Sequence, residues 1–197
     1  MGELPVPPVP AEMQERLRTR LSAAAEDAGL LDVAYRPVPT PVGELLLAAT
    51  PQGLVQVSYA DPEQALAELA QAVSPRVLRD GNRLDEPRRQ LDEYFAGTRR
   101  GFDLPLDLRL STGFRRRVLD QLRGIDYGST RSYADVAAAA GSPRAVRAVG
   151  SACATNPLPV VVPCHRVVRS DGSPGGYAGG PEAKRLLLEL EGDDRER

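Results

Sequence analysis

The pattern of apolar and polar positions predicts a chain whose two halves differ in architecture. Met13, Leu17 and Leu21 recur at helical spacing among charged residues, which predicts a helix over residues 11–27. Short apolar runs separated by Pro- and Gly-containing turns follow, a pattern typical of strands. The predicted strands are 33–38, 43–50 and 54–59, and the predicted helices after them are 62–73 and 86–95. The pattern of this half indicates a small α/β support domain in which we recognise no set of catalytic residues.

The second half predicts helices. A helix over 112–122 places Phe114, Val118 and Leu122 on one face, and a turn follows at Tyr127. Two short helices, 132–140 and 143–154, are joined by Gly-Ser-Pro, and Pro143 suits the first position of the second helix. This is the layout of a helix-turn-helix, although a purely structural helical hairpin produces the same pattern.

The expected fold class is therefore an α/β N-terminal domain followed by a mainly α-helical C-terminal domain with a helix-turn-helix. We expect an N-terminal extension over 1–30, which contains the first helix, and a support domain over 31–105. The helical domain is expected over 106–192 and a tail over 193–197. Residues 1–10 are rich in proline and are expected to be mobile. We assign no function to the helix of the extension.

Composition narrows the class of protein. The chain has 197 residues, 42% of them hydrophobic, but no apolar run long enough to predict a membrane span, and no secretory signal pattern at its start. The only cysteines, Cys153 and Cys164, are expected to be free thiols in a reducing cytoplasm. Two cysteines and one histidine cannot supply a four-ligand zinc site, so no metal is expected.

Charge is divided unevenly along the chain. The net charge is −2, yet residues 106–192 hold 12 basic against 8 acidic side chains, whereas residues 1–105 hold 11 against 16. A local excess of +4 suits a surface that contacts phosphates, although many solvated faces carry as much. Within the second predicted helix, Arg147 is the only long side chain after Arg144, and the residues around it are small or of modest size. Such a helix can lie close to a partner surface, or it can pack against other helices with Arg147 solvated.

The segment around Cys164 carries the candidate chemistry. An apolar, strand-like run between Pro157 and Pro163 delivers Cys164 next to His165, the single histidine. A thiol becomes a nucleophile as the thiolate, and an imidazole base is a usual activator. A third group should orient the imidazole, and the acidic candidates on the last predicted helix are Glu182, Glu189 and Glu191. A Cys-His pair alone is more often structural.

Taken together, the motifs of the second half resemble the O6-alkylguanine-DNA alkyltransferase family. They appear in the family's order as Tyr127-Gly-Ser-Thr-Arg-Ser-Tyr133, Arg147-Ala-Val-Gly150, Asn156-Pro157, Pro163-Cys-His-Arg-Val167, Gly176-Tyr-Ala-Gly-Gly180 and Lys184-Arg-Leu-Leu-Leu-Glu-Leu-Glu191. The strong match covers residues 114–192. The first half matches loosely, through Pro41-Val-Gly-Glu-Leu45 and Leu91-Asp-Glu-Tyr-Phe-Ala-Gly97.

The resemblance implies a role for each matching residue. Cys164 would accept the alkyl group, His165 would take the thiol proton through water, and Glu191 would orient the imidazole. Asn156 would brace the turn that carries the cysteine, and Tyr133 would hydrogen-bond the flipped guanine and help to protonate it. The pocket would be formed by the carbonyls of Cys164 and Val167 and by Tyr177, Ala178 and Gly179. DNA would be contacted by Arg144, Ala145, Arg147, Ala148, Gly150 and Ser151, with Arg147 filling the space of the flipped nucleotide.

The implied activity is direct, irreversible and stoichiometric repair. The alkyl group of O6-alkylguanine, and also of O4-alkylthymine, would move from double-stranded DNA to Cys164, with contact through the minor groove. No cofactor is implied, and the protein is expected to act as a monomer. The alternatives are a lesion-binding protein without transfer, a cysteine hydrolase, and a helix-turn-helix regulator; the presence of Cys164 argues against the first.

The chain also departs from the family pattern. Arg115 and Leu119 replace a usual Gln and Trp in the first helix of the domain, and Asp126 replaces a usual Pro. These positions lie outside the reacting group, so they bear on affinity and stability more than on chemistry. Leu119 is expected to fill a core position.

Overall fold

A four-stranded sheet forms the centre of the N-terminal half in the computed structural model, which describes residues 10–79 and 82–192. Its strands are β1 (Val33–Thr40), β2 (Gly43–Thr50), β3 (Gly53–Ser58) and β4 (Val77–Arg79). The order is β3-β2-β1-β4, with β4 parallel to β1 and the other pairs antiparallel. Nearly all of the segment expected to be mobile (1–10) and the whole tail (193–197) lie outside the described residues.

Seven α-helices accompany the strands within the described residues. They are α1 (Ala11–Asp27), α2 (Pro62–Ala72), α3 (Asp85–Phe95), α4 (Gly113–Leu122), α5 (Tyr133–Ala139), α6 (Val146–Ala154) and α7 (Gly180–Gly192). Two short strands, β5 (Arg131–Ser132) and β6 (Val167–Val168), pair in parallel. The expected fold class, an α/β half followed by a mainly helical half, is confirmed.

The sheet is covered on both faces because its strands carry apolar residues on both faces. Helix α2 packs on one face through Leu69, against Val33, Ala48 and Val55. The other face belongs to a larger core that continues into the helical half. This larger core includes Leu45, Leu47, Leu91, Tyr94, Val118, Leu119, Leu122, Val149, Val162 and Leu187. The two halves therefore share one continuous apolar interior, and Leu119 fills a core position as expected.

The structure differs from the sequence prediction at β4 and at the start of α6. Strand β4 was not predicted, because three residues after a Ser-Pro turn give too short a pattern to recognise. Helix α6 begins at Val146 instead of Pro143, so Arg144 and Ala145 precede the helix. The amide of Ala145 donates to the carbonyl of Ser142 at 2.8 Å, which closes a turn with Pro143 at its second position. Proline is favoured at this turn position as well as at a helix start, which explains the error.

The predicted helix of the extension is confirmed, and it lies against the edge of the sheet. The buried Ser22 hydroxyl donates to the carbonyl of Arg79 in β4, and Glu26 pairs with Arg83 at 2.9 Å. The apolar residues that predicted the helix, Met13, Leu17 and Leu21, are exposed, so its contact face is formed by smaller side chains. None of the helices in the described ranges has the length and apolar character needed to cross a membrane.

Candidate active site

Cys164 lies at the end of a series of tight turns instead of a strand. The Val162 amide donates to the Leu158 carbonyl at 2.7 Å, and the Cys164 amide donates to the Val162 carbonyl at 2.8 Å. Pro163 has φ −79° and ψ 64°, the geometry of an inverse γ-turn, and residues Cys164–Arg166 form one 3-10 turn. The prediction of a strand-like segment between Pro157 and Pro163 is wrong. The prolines and a positive φ at Val160 (72°) bend the chain repeatedly there.

Asn156 holds these turns in place through both ends of its side-chain amide. Its Oδ1 accepts from the amide of Leu158 at 3.0 Å, and its Nδ2 donates to the carbonyl of Val162 at 2.9 Å. The same Nδ2 lies 3.2 Å from Cys164 Sγ. The structure thus places a hydrogen-bond donor on the sulfur of a cysteine that is only 1% exposed.

His165 contacts one of the three acidic candidates. Its Nε2 lies 2.9 Å from Oε1 of Glu191, and both side chains are buried. Glu182 and Glu189 instead form exposed ion pairs with Arg185. Because Nε2 faces a carboxylate, the neutral imidazole carries its proton there, and Nδ1 presents a lone pair. Nδ1 is buried and has no hydrogen-bond partner among the described residues.

Glu191 also receives partners that the sequence reasoning missed. Arg166 donates to both carboxylate oxygens, with its Nη2 2.8 Å from Oε1 and its Nε 2.9 Å from Oε2. The Tyr94 hydroxyl, from helix α3, donates to Oε1 at 2.6 Å, and the Gly128 amide donates to Oε2 at 3.2 Å. The N-terminal half therefore does contribute to the chemical site, contrary to the prediction. Tyr94 stands within the loosely matching segment 91–97, which was the available signal.

These contacts fix the protonation states at rest. Burial raises the pKa of Cys164 to about 11, although the Asn156 hydrogen bond and the Lys184 charge act in the opposite direction. Burial also lowers the pKa of His165, against the attraction of Glu191. Burial alone would raise the pKa of Glu191, but hydrogen bonds from His165 and Arg166 bring it down to about 2. At neutral pH the site holds a thiol, a neutral imidazole and a carboxylate.

Lys184 is a second charged group that the sequence reasoning did not place in the site. It is the single lysine of the chain, it is fully buried in α7, and its Nζ donates to the carbonyl of Val167 at 2.6 Å. Burial lowers its pKa, whereas Coulombic attraction to Cys164 and Cys153 in their thiolate forms raises it. A cation in this position favours the thiolate form of Cys164.

The predicted pocket residues surround this centre. Tyr133 begins α5, and its hydroxyl lies so close to Gly175 that an added Cβ there would stand 2.1 Å from the oxygen. Tyr177 packs edge-on to the His165 ring at 6.2 Å between centroids, and a Cβ added at Gly179 would stand 2.6 Å from the ring of Tyr59. Ala178, Asn156 and Tyr59 line a half-open cavity of about 500 Å³ between the two halves.

The predicted DNA-binding residues lie on the outer face of the helix-turn-helix. Helices α5 and α6 pack on each other, and α6 buries Val149, Ala152 and Cys153. Its opposite face exposes Arg147, Ala148 and Ser151, while Gly150 is half-buried. Arg144 is exposed and Ala145 half-buried in the turn before α6. The six residues therefore share one surface, in a turn and a helix instead of a helix alone.

Comparison with known proteins identifies the class. Residues 33–108 match the family model of the 6-O-methylguanine DNA methyltransferase ribonuclease-like domain, and residues 113–193 match that of its DNA binding domain. The constitutive methylated-DNA–protein-cysteine methyltransferase of Bacillus subtilis is 41% identical over 158 residues, which cover 80% of this chain and 94% of that protein. The corresponding protein of Mycobacterium bovis is 52% identical over 102 residues, 52% of this chain and 61% of that protein.

Solved structures agree with these sequence matches. The O6-methylguanine methyltransferase of Mycobacterium tuberculosis is 39% identical, with a TM-score of 0.71 over 82% of this chain and 93% of that one. The same organism's protein solved in complex with DNA is 38% identical, with a TM-score of 0.70 over 81% of this chain and 93% of that one. This chain belongs to the O6-methylguanine DNA methyltransferase family, and both domains of that family are present.

Proposed function

We propose that this protein repairs DNA directly, by moving the alkyl group of O6-alkylguanine irreversibly to Cys164. The observation that carries the proposal is the connected set formed by Cys164, Asn156 and the His165–Glu191 pair, set behind a helix-turn-helix. The site supplies a buried thiol, a hydrogen-bond donor on its sulfur and a neutral imidazole at the next position in the sequence. Alkyl transfer then requires only an alkylated substrate. The class acts on methylated DNA, and O4-alkylthymine is a further substrate that we propose.

The transfer begins with a proton. His165 Nδ1 accepts the Cys164 proton through a bridging water, and Glu191 stabilises the imidazolium that results. The thiolate is stabilised by the Asn156 amide and the Lys184 charge. Its sulfur attacks the alkyl carbon, an S–C bond forms as the C–O6 bond breaks, and the electron pair remains on guanine. The thioether is stable, so each molecule acts once.

The leaving guanine is stabilised by polar groups at the pocket. We propose that the Tyr133 hydroxyl donates to the flipped base and helps to protonate it, since protonated guanine leaves more readily. The carbonyls of Cys164 and Val167 would accept from the exocyclic amine. Each already accepts one hydrogen bond, from the Val167 amide and from Lys184 respectively, but a carbonyl oxygen has two lone pairs.

DNA binding is assigned to the face of α6 and the turn before it. Small side chains at Ala148, Gly150 and Ser151 allow the helix to lie close to a minor groove. Arg147 is long and exposed, so it can enter the duplex and occupy the space of the extruded nucleotide, and Arg144 can contact phosphate. Flipping a base out of the duplex costs roughly a few kcal/mol, and an arginine in the vacated space would stabilise the duplex with its base flipped out.

We also propose that the protein acts in the cytoplasm, as a monomer. Cys153 and Cys164 are free and buried, which suits a reducing cytoplasm. A monomer is sufficient, because every group named above lies in one chain.

The test is intact-protein mass spectrometry after mixing the protein with a duplex that contains one O6-methylguanine. We expect one added methyl group per protein, mapped to Cys164 and absent from Cys164→Ser. Cys153→Ser is the matched control, since it removes the other buried thiol, and it should still gain one methyl group. Tight lesion binding without an adduct would instead indicate a lesion sensor, and repeated release of product would indicate a hydrolase.

A further inference from the structure

A hydroxyl from the N-terminal half lies on the proton relay of the helical half. Tyr94 Oη donates to Glu191 Oε1 at 2.6 Å, and the same oxygen is 2.9 Å from His165 Nε2. Tyr94 is fully buried, and Glu191 is 2% exposed. The tyrosine ring is fixed by Phe95, Phe102 and Tyr127, whose ring centroids lie 5.2 to 6.1 Å away. The hydroxyl therefore has little freedom to leave its acceptor.

We propose that Tyr94 is a positioning residue that lowers the proton affinity of His165 by sharing the carboxylate oxygen on which the imidazole depends. Tyr94 acts through Glu191, which accepts the hydrogen bond of its hydroxyl. The inference deepens the proposed function and rests on it, since it is His165 that takes the proton of Cys164.

The effect of Tyr94 on His165 is electrostatic. A donated hydrogen bond withdraws negative charge from Oε1, so less charge remains to stabilise an imidazolium at Nε2. Water does not screen this effect, because all three side chains are buried and the local dielectric constant is low. A less basic His165 stays neutral, and so able to accept a proton, to a lower pH.

Other ionisable groups also face His165, and their contributions must be separated from that of Tyr94. Arg166 and Lys184 are cations that oppose protonation of the imidazole, and Glu191 favours it. Tyr177 packs on the ring, Cys164 precedes it in the same turn, and Tyr127 packs against Tyr94. Tyr94 differs from the other two tyrosines in that its hydroxyl donates to Glu191 Oε1, so Tyr94→Phe removes that hydrogen bond while the ring remains.

The experiment uses the fact that His165 is the single histidine of the chain. Its imidazole signals can be assigned without ambiguity in a nitrogen-15 nuclear magnetic resonance titration of the full-length protein. In Tyr94→Phe we expect the titration midpoint of His165 to rise by roughly 0.5 to 1 pH unit. The pH at which the single-turnover rate of methyl transfer falls to half on the acid side should rise by the same amount.

The matched control is Tyr127→Phe, which removes a hydroxyl that donates to the Leu190 carbonyl at 3.2 Å. Its midpoint should equal that of the unmodified protein. If Tyr94→Phe does not fold, 3-fluorotyrosine at position 94 keeps the ring and the hydroxyl but makes it a stronger donor. The midpoint should then fall.

The outcomes separate this inference from the proposed function. Identical His165 midpoints in the Tyr94 variant and the unmodified protein would overturn the role of Tyr94, whether or not methyl transfer occurs. A shifted midpoint in a protein that never methylates Cys164 would support the role of Tyr94 and reject the proposed function.

Discussion

At the scale of single residues, Gly175 leaves room for the hydroxyl of Tyr133 that no larger residue would leave. A methyl group at position 175 would collide with the phenol, so Gly175→Ala should displace Tyr133 from the position in which it meets the base. We expect the rate of alkyl transfer to fall by roughly 10- to 100-fold, because misplacement by about 1 Å has effects of that size. Single-turnover kinetics with an O6-methylguanine duplex measure this rate.

The neighbouring glycine provides the control for this prediction. Gly176 is exposed, and an added Cβ there meets no atom within 4 Å. Gly176→Ala should therefore transfer methyl groups at nearly the normal rate. Equal rates for the two variants would show that the position of Tyr133 is unimportant for the reaction.

Asn156 is the residue whose loss should affect both fold and chemistry. Asn156→Ala leaves the amide of Leu158 and the carbonyl of Val162 without their buried partner, at a cost of about 2 to 4 kcal/mol in the free energy of unfolding. It also removes the donor on Cys164 Sγ, so the pKa of that thiol should rise further. Urea unfolding and the pH dependence of thiol alkylation measure the two effects.

A useful comparison for Asn156→Ala is Thr155→Ala, one residue earlier. Thr155 is exposed, and its hydroxyl donates to the carbonyl of Ser151 within the same helix. Its replacement should change neither the thiol pKa nor the stability by more than about 0.5 kcal/mol. An unchanged thiol pKa in Asn156→Ala would mean that the amide does not act on the sulfur.

At the scale of elements, α6 is the helix whose outer face should decide DNA affinity. Ala148→Leu and Ser151→Leu add bulk to exposed positions, so the fold should be kept while the helix can no longer approach a groove closely. We expect DNA affinity to fall by roughly tenfold or more, with normal melting temperatures. Fluorescence anisotropy on duplexes with and without the lesion measures affinity.

The same addition in another helix controls for the added apolar surface. Ala67 is exposed on α2 in the N-terminal half, and Ala67→Leu should leave DNA affinity unchanged. If all three leucine variants bind DNA equally well, α6 is not the helix that meets the groove.

The elements also show what the sequence could predict. Strong periodicity and clear turn signals predicted α1 to α6 and β1 to β3 within a few positions at each end, and the last helix, α7, was predicted without bounds. The turns that carry Cys164 could not be predicted, since an apolar Val-Val-Val run resembles a strand while prolines and distant contacts determine its path. The residue pattern alone predicted an acid beside His165 without choosing among Glu182, Glu189 and Glu191, and the family resemblance pointed to Glu191.

Contacts between the two halves were beyond sequence reasoning altogether. Tyr94 and Glu191 are 97 positions apart, and Tyr59 and Tyr177 are 118 apart. No local pattern relates residues at such separations. Only the shared core, which brings α3 and β3 against the helical half, determines that these side chains meet.

At the scale of the whole molecule, the buried carboxylate of Glu191 links stability to pH. Its pKa of about 2 in the folded protein lies below the ordinary value of 4.5. A carboxyl group of this kind stabilises the fold above its unfolded pKa, and the stabilisation is lost as the pH falls from about 4.5 to about 2. The difference corresponds to about 3 kcal/mol in the free energy of unfolding. His165, whose pKa is lowered, acts in the same direction below about 6.5.

The prediction is that Glu191→Gln is less stable than the unmodified protein at neutral pH but loses less stability on acidification between pH 4.5 and 2. Glutamine does not titrate, so the free energy of unfolding of the variant lacks the pH-dependent contribution of a carboxylate at position 191. Urea unfolding at a series of pH values measures both proteins, and Glu189→Gln, on the exposed side of the same helix, is the control. Parallel curves for Glu191→Gln and the unmodified protein would mean that the carboxylate does not stabilise the fold. In that case the link between the two halves would depend on their shared apolar core, and Tyr94 would contribute through its ring.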